Sequence, residues 1–208
     1  MLKEISYIHF SDLHIGQKWA NQYLPNAKEI ILDDLRHVIG LLKGLDIVFF
    51  TGDMVQSGSS SEYEEFMEWF GDIKDCIAKL GYDPYYLFVP GNHDLQRISD
   101  ESDPTHKILK MSWLADSELR EHFLWDKNKA YYKYLVEMFE NYKTFLQTFY
   151  KKNKRPDVVK EGLIPGDFYV ELNINRAKVG VVGLNSAFLQ IDGDEYQKIL
   201  GIYHRQIH

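Results

Sequence analysis

The feature that most constrains the fold of this chain is a pattern that occurs three times: a short apolar run, a polar cluster, and a stretch with helical spacing of apolar residues. The apolar runs are residues 5–10, 47–51 and 85–89. Each is short and rich in β-branched and aromatic residues, which favours a buried strand. Because strands that alternate with helices form parallel βαβ units, the sequence predicts an α/β fold.

The spacing of apolar residues also predicts the helices between these strands. Residues 27–43 have the pattern of an amphipathic helix that ends near Gly44. Ser61 and Glu64 have the spacing of a capping box, which predicts the start of a second helix that stops at Gly81.

The rhythm changes after the third strand. Residues 95–166 are predicted to be a helical insertion, aromatic from 104 to 150 and ending in a connection at 151–166. The helical spacing of the aromatic residues favours a helical core over a surface that stacks nucleobases. Residues 168–174 and 178–184 are separated by a short polar link, which predicts an antiparallel hairpin. The whole chain, residues 1–208, is predicted to be one domain that contains this insertion.

Two metal-competent side chains follow the first strand. Asp12 and His14 are two residues apart, so in extended backbone both side chains leave the same face and can reach one cation. In open α/β sheets, ligands bind beyond the carboxyl ends of the strands, which is where these residues lie. A carboxylate and an imidazole suit manganese, iron, zinc or nickel better than calcium.

The second and third strands are also followed by side chains that can bind a metal or a phosphate. Asp53 follows Gly52, which permits a sharp turn that brings the carboxylate into the same crevice. Asn92 offers a carbonyl oxygen, and His93 beside it is suited to donate to a phosphate oxygen. Asp94 is expected to orient the His93 imidazole. Three such strand ends in succession predict a metal centre.

The motifs SDLH at residues 11–14, TGD at 51–53 and PGNHD at 90–94 resemble the first three signature motifs of the calcineurin-like metallophosphoesterase superfamily. The resemblance implies a four-layer α-β-β-α sandwich with two divalent cations at the strand ends. Manganese is the expected metal, with iron, zinc or nickel as alternatives. Two cations clamp a phosphate and lower the pKa of a bridging water towards ~7, which supplies hydroxide at neutral pH.

The resemblance also implies a role for each matching residue. These roles are: Asp12 and His14, first metal; Asp53, bridge between the metals; Asn92, second metal; His93, contact to the scissile phosphate; Asp94, support behind His93.

The family supplies three further histidines after the hairpin, one at a strand end and two in a Gly-His-x-His sequence, and neither motif occurs in this sequence. The later histidines are His204 and His208, spaced as on one face of a helix and expected to be a surface pair. The sandwich is therefore expected to be incomplete at its C-terminus, with further domains or a protein partner beyond it.

The composition limits the partners and the cellular compartment expected for this chain. The formal charge of −7, from 31 acidic and 24 basic residues, gives no global attraction to a polyanion. Cys76 is the single cysteine, the N-terminus lacks a secretory signal, and no apolar run approaches the ~20 residues of a membrane span. These features predict a reducing compartment such as the cytoplasm, with no membrane.

The leading hypothesis is a metal-dependent phosphoester hydrolase, a phosphodiesterase or nuclease acting on DNA, RNA or a cyclic nucleotide. The lean to diesters rests on the similarity of residues 8–16 to the exonuclease and cyclic-nucleotide phosphodiesterase branches of the superfamily. The alternative is a degenerate or truncated phosphoesterase fold that acts as a non-catalytic binding module in a larger assembly.

Overall fold

The structure is a computed structural model that describes residues 4–17, 20–42, 44–98, 102–112, 116–125, 130–188, 190 and 201–206. Its strands and helices, in chain order, are β1 (Tyr7–Phe10), α1 (Ala20–Leu41), β2 (Ile47–Thr51), α2 (Ser60–Lys79), β3 (Tyr85–Val89), α3 (Pro104–Ser112), α4 (Ser117–Trp125), α5 (Ala130–Met138), α6 (Glu140–Lys152), β4 (Val158–Glu161), β5 (Phe168–Ile174) and β6 (Ala177–Gly183). A short 3-10 helix, His204–Gln206, follows. None of the helices in these ranges is long and apolar enough to cross a membrane.

The first sheet is parallel, in the order β1-β2-β3. Tyr7 is in register with Ile47, and Ile47 with Tyr85, so the three strands end at the same edge. The predicted parallel sheet is therefore confirmed. Its carboxyl edge gathers the three polar clusters.

One face of this sheet is covered by helices. Phe50 of β2 and Phe88 of β3 stack with ring centroids 5.1 Å apart, and both point into a core shared with α1, α2 and α6. Phe149 of α6 packs edge-on against Phe88 at 4.7 Å and is fully buried. The aromatic residues of α5 and α6 therefore form a helical core, as predicted, whereas Trp113 lies outside the described residues.

The second sheet packs on the opposite face of the first. Its strands are antiparallel in the order β4-β5-β6. Ile47 and Leu87 point away from the helices and into a second core with Val170, Leu172 and Ile174 of β5. Successive side chains of β2 and β3 therefore point alternately into the two cores, as expected for a sheet that is covered on both faces.

Helices, first sheet and second sheet are three of the four layers predicted. On the outer face of β6, Val182 is 60% exposed. The α/β class and the pair of sheets agree with the predicted architecture.

The hairpin is confirmed, with β6 starting at Ala177. Asn175 and Arg176 form its turn, with φ values of 50° and 63°. A two-residue turn with positive φ at both positions matches the twist of antiparallel strands.

Three boundaries differ from the prediction. Helix α1 begins at Ala20 instead of residue 27. The capping box of α2 is formed by Ser59 and Glu62, two residues before the predicted pair. The segment 151–166 contains strand β4 and is more than a connection, so the helical part of the predicted 95–166 insertion ends at Lys152.

Candidate metal centre

The loops after β1 and β2 run side by side beyond the end of the sheet. The N–H of Asp12 donates to the carbonyl of Gly52 at 3.1 Å, and the N–H of His14 donates to the carbonyl of Asp53 at 2.9 Å. A further parallel bridge pairs Ile15 with Val55. The parallel pairing is thus resumed past the strand ends, which fixes the two loops against each other.

This arrangement brings three of the predicted ligands together. One ligand atom from each of Asp12, His14 and Asp53 lies within 4.8 Å of the other two. Nδ1 of His14 is buried and has no hydrogen-bond partner among the described residues. Two carboxylates, one imidazole and an unpartnered buried nitrogen fit a divalent transition metal, which would supply the missing partner.

The backbone at these residues is strained. Asp12, His14 and Asp53 have φ values of 57°, 49° and 53°, in the left-handed region. In the described ranges, the other non-glycine residues with positive φ are those of the hairpin turn, Asn175 and Arg176. A left-handed conformation costs a non-glycine residue roughly 1–2 kcal/mol. Because all three clustered residues adopt it, the placement of their side chains is maintained at the expense of local backbone stability, as is common at functional sites.

Glycines allow the loop after β3 to approach the loop after β2. A Cβ on Gly91 would lie 2.6 Å from the backbone N of Asp53 and collide with its carboxylate. A Cβ on Gly52 would lie 3.0 Å from Cα of Gly91. The third strand end therefore reaches the metal cluster because neither residue has a side chain.

His93 is held next to the cluster at both its backbone and its ring. Its N–H donates to Oδ1 of Asp53 at 2.9 Å. Its ring Nδ1 lies 2.7 Å from the main-chain carbonyl of Gln56, and the ring packs edge-on against His14 with centroids 4.7 Å apart. Because a carbonyl accepts, Nδ1 carries the hydrogen, and Nε2 is the ring atom left for a substrate.

Asp94 joins the loops and does not serve the expected role of orienting the imidazole. Its buried carboxylate accepts from the N–H of Val55 at 3.1 Å and from the N–H of Gly91 at 2.8 Å. Burial raises the pKa of Asp94 to about 7, the two backbone donors oppose that rise, and the charge of Asp53 adds to it. The ring of His93 is oriented by Gln56, a residue that the sequence analysis did not single out.

Asn92 lies between two anchored residues. Gly91 before it donates to Asp94, and His93 after it donates to Asp53. Its carbonyl accepts from the guanidinium of Arg97 at 3.2 Å. The residue is half-buried.

Of the two late histidines, the structure describes His204. His204 starts the short 3-10 helix, and its ring packs beside Tyr203 with centroids 4.6 Å apart. His208 lies outside the described residues. The predicted helical pair is therefore not tested.

A separate cavity of about 560 Å³ opens between α5, α6 and the second sheet. Its wall includes Leu87, Tyr142, Tyr150, Val159 and Phe168. The hydroxyls of the two tyrosines donate to main-chain carbonyls of Phe88 and Tyr86. The wall also contains charged residues, among them Lys143, Arg155 and Asp167. The described lining contains none of the metal-cluster residues, and the cavity is distinct from the candidate site.

The structure is an α/β protein whose three motif loops meet at the carboxyl edge of a parallel sheet, where two carboxylates and a histidine converge within 4.8 Å as a candidate metal site. The family model for calcineurin-like phosphoesterases matches residues 5–182. The chain belongs to this family, and the resemblance of the three motifs is confirmed.

A probable glycerophosphodiester phosphodiesterase, GpdQ, from Arcobacter nitrofigilis is 32% identical to this chain over 101 residues. The alignment covers 46% of this chain and 34% of that relative, so the chain spans about a third of the relative's length.

Proposed function

We propose that this protein hydrolyses phosphodiesters with the help of divalent cations held by Asp12, His14, Asp53 and Asn92. The observation that carries the proposal is the convergence of Asp12, His14 and Asp53 within 4.8 Å. The imidazole of His93 lies beside them, with its Nδ1 bonded to the main-chain carbonyl of Gln56. Membership of the phosphoesterase family supports the reaction class.

The proposed roles of the residues follow from their contacts. Asp12 and His14 hold one cation, and Asp53 lies between the loops where a carboxylate can bridge two. Bound cations supply a water of lowered pKa and neutralise charge on the phosphate. With a hydrogen on both ring nitrogens, His93 donates from Nε2 to a phosphate oxygen. Asp94 holds the two loops together through its backbone partners Val55 and Gly91.

Manganese is the metal we propose, with iron, zinc and nickel as alternatives that the same donor set accepts. The preference for a diester is supported by the diesterase named above as a relative. Cyclic nucleotides, DNA and RNA are diesters of this class. The formal charge of −7 requires that a nucleic acid be held locally, through the cations, and not by a global field.

We propose further that residues 1–208 form one phosphoesterase domain to which the 95–166 segment belongs, because α6 packs into the main core. A reducing compartment such as the cytoplasm is proposed from the lone, buried Cys76. We also propose that a protein partner or further C-terminal domains accompany this domain.

The test is manganese-dependent hydrolysis of bis-para-nitrophenyl phosphate by the full-length product. We expect turnover by the native protein and loss of turnover in Asp53→Ala and His93→Ala. A matched surface variant, Asp75→Ala on α2, should behave as the native protein, since Asp75 is exposed and outside the site. Absence of turnover on diester, monoester, cyclic-nucleotide and DNA substrates with metal bound would leave the non-catalytic module as the function.

A further inference from the structure

The cavity of about 560 Å³ between α5, α6 and the second sheet lies beside β3, the last strand in the order of the first sheet. Leu87 and Phe88 of β3 form one part of its wall, and Val159 and Val170 of the second sheet form another. Protein interiors are close-packed and leave few voids larger than a water molecule. Small-molecule sites enclose roughly 300–1,000 Å³, so this space has the size of a ligand site.

The main-chain carbonyls of β3 next to the cavity already have partners in the protein. The hydroxyl of Tyr142 donates to the carbonyl of Phe88 at 3.0 Å, and the hydroxyl of Tyr150 donates to the carbonyl of Tyr86 at 2.7 Å. Apolar and aromatic side chains make up most of the rest of the wall. An apolar group can therefore enter the cavity without depriving these carbonyls of their hydrogen bonds.

The exposed part of the wall carries more positive than negative charge. Lys143, Lys151 and Arg155 line the cavity and are exposed, and none of them forms an ion pair with another described residue. Among the described residues, the acidic members of the wall are Glu161 and Asp167. The carboxylate of Asp167 is buried and accepts from three donors inside the protein. Three exposed cations thus accompany one exposed carboxylate.

The position of Lys143 distinguishes this arrangement from the usual charges at the end of a helix. Lys151 lies in the last turn of α6, where a cation also interacts favourably with the helix dipole. Lys143 lies eight residues earlier, about 12 Å along the axis, where that effect has faded. Residues four apart share a side of a helix, so Lys143, Gln147 and Lys151 form one row along the cavity. The cations therefore follow the cavity and not only the helix end.

We propose that this cavity binds an anionic amphiphile, a molecule with an apolar body and one carboxylate or phosphate group, of which a fatty acid is the simplest example. The apolar body lies against the side chains of β3, α6 and the second sheet. The anionic group lies where the cavity meets solvent, beside Lys143, Lys151 and Arg155. The inference does not depend on the proposed function, because the described wall contains none of the metal-cluster residues.

The test uses decanoate as the probe, titrated by calorimetry into the full-length protein. EDTA is present, so that the carboxylate cannot bind to a cation at the metal centre. Decanol has the same body without the charge, and acetate has the charge without the body. We expect one decanoate per chain, with a Kd at least about tenfold below that of decanol or acetate, because hydrogen bonds to a charged group contribute about that factor or more. Decyl phosphate, titrated in the same way, shows which anionic group the cations prefer.

A double variant tests the role of the cations. Lys143→Met with Lys151→Met removes two charges from the wall and keeps unbranched side chains. The control, Lys79→Met with Lys178→Met, removes two charges at exposed positions outside the wall. We expect the first pair to raise the decanoate Kd roughly fivefold over the control, as two partly exposed charge contacts would. The decanol Kd should stay within twofold of the control.

A cavity-filling variant tests the apolar part of the site. Leu146 is half-buried in α6 and lines the cavity, so Leu146→Trp places a larger side chain there. Displacing about two methylene groups of the ligand corresponds to roughly a tenfold loss of affinity, and we expect this loss for decanoate and decanol alike. If tryptophan lowers the melting temperature of the free protein, the double methionine variant still decides the question.

Equal Kd values for decanoate and decanol, or a stoichiometry well above one per chain, would overturn the proposal. A decanoate Kd that is the same in the double methionine variant and its control would also overturn it. A manganese-loaded protein that hydrolyses diesters but shows no saturable binding of decanoate in EDTA would keep the proposed function and refute this inference. Binding of decanoate as expected, without turnover of any diester, would do the reverse.

Discussion

The backbone N–H of His93 donates to Oδ1 of Asp53 across 2.9 Å, and this hydrogen bond links the loop after β3 to the loop after β2. The same Asp53 offers a carboxylate oxygen to the cluster with Asp12 and His14. One side chain thus sets the distance between the residues that would hold the cations and the histidine that would contact the phosphate.

Asp53→Asn separates these two tasks. An amide oxygen still accepts from His93, but the residue no longer carries the charge that attracts two cations. We expect manganese affinity to fall more than about 100-fold, since changes to groups merely supporting metal ligands already lower it 10- to 100-fold. Calorimetric titration with manganese measures the change, and Asp75→Asn on the exposed side of α2 is the control. Equal affinities in the two variants would remove Asp53 from the metal centre.

Gly91→Ala should separate the two loops. Its new Cβ would collide with the backbone N and carboxylate of Asp53, and backbone cannot move aside as a flexible side chain can. We expect reduced manganese affinity together with a lower melting temperature. The control is Gly71→Ala in α2, where an added Cβ meets nothing within 4 Å and should stabilise the helix by about 0.5–1 kcal/mol. Normal manganese binding in Gly91→Ala would show that the loops tolerate a wider gap.

The sequence was sufficient to predict the first sheet and its strand ends, because short apolar runs that alternate with helices have few other solutions. Asp12, His14 and Asp53 follow directly from the ends of those runs. The hairpin was predictable as well, because only the short link of residues 175–177 separates two apolar runs. The structure shortens that link to the two turn residues Asn175 and Arg176.

Strand β4 was not predictable by the same means. Its Val158 and Val159 are followed by Lys160 and Glu161, so the segment has no alternating pattern, and its strand conformation comes from pairing with β5. The role of Gln56 toward His93 was hidden for a different reason: its main-chain oxygen makes the contact, and any residue type provides one. The only sequence feature that pointed to Gln56 was its position, three residues after Asp53 in the loop that follows β2.

The start of α2 was misplaced because residues 57–61 are almost all serine, and several registers fit a capping box. In the structure, Oγ of Ser59 accepts from the N–H of Glu62, whose carboxylate accepts from the N–H of Ser59 and of Ser57. Ser59→Ala should therefore destabilise the protein by about 1 kcal/mol. Ser61→Ala should change stability by less than about 0.5 kcal/mol. Urea unfolding of both variants checks the register, and the reverse order would restore the predicted box.

We expect Asp167 to make the stability of the second sheet depend on pH. Its Oδ1 accepts from the N–H of Asn185 at 2.7 Å and from Nε2 of Gln206 at 2.9 Å, and its Oδ2 accepts from the N–H of Ile164 at 3.0 Å. Burial raises the pKa of Asp167, and these three donors oppose the rise without cancelling it. The carboxylate therefore links the start of β5, the end of β6 and the short 3-10 helix, although burial disfavours its charged form.

Because the folded pKa of Asp167 is above the unfolded value of about 3.9, the folded state holds the proton more tightly. The contribution of this group to the free energy of unfolding is then largest below the unfolded pKa and falls as pH rises through the folded pKa. Asp167→Asn lacks this titration. We expect the stability of the native chain relative to Asp167→Asn to decrease as pH rises above the unfolded pKa of about 3.9, measured by urea unfolding in EDTA so that the metal centre does not contribute. A relative stability that increases over this range would mean that the three donors outweigh burial, and that the carboxylate is stabilised by the fold.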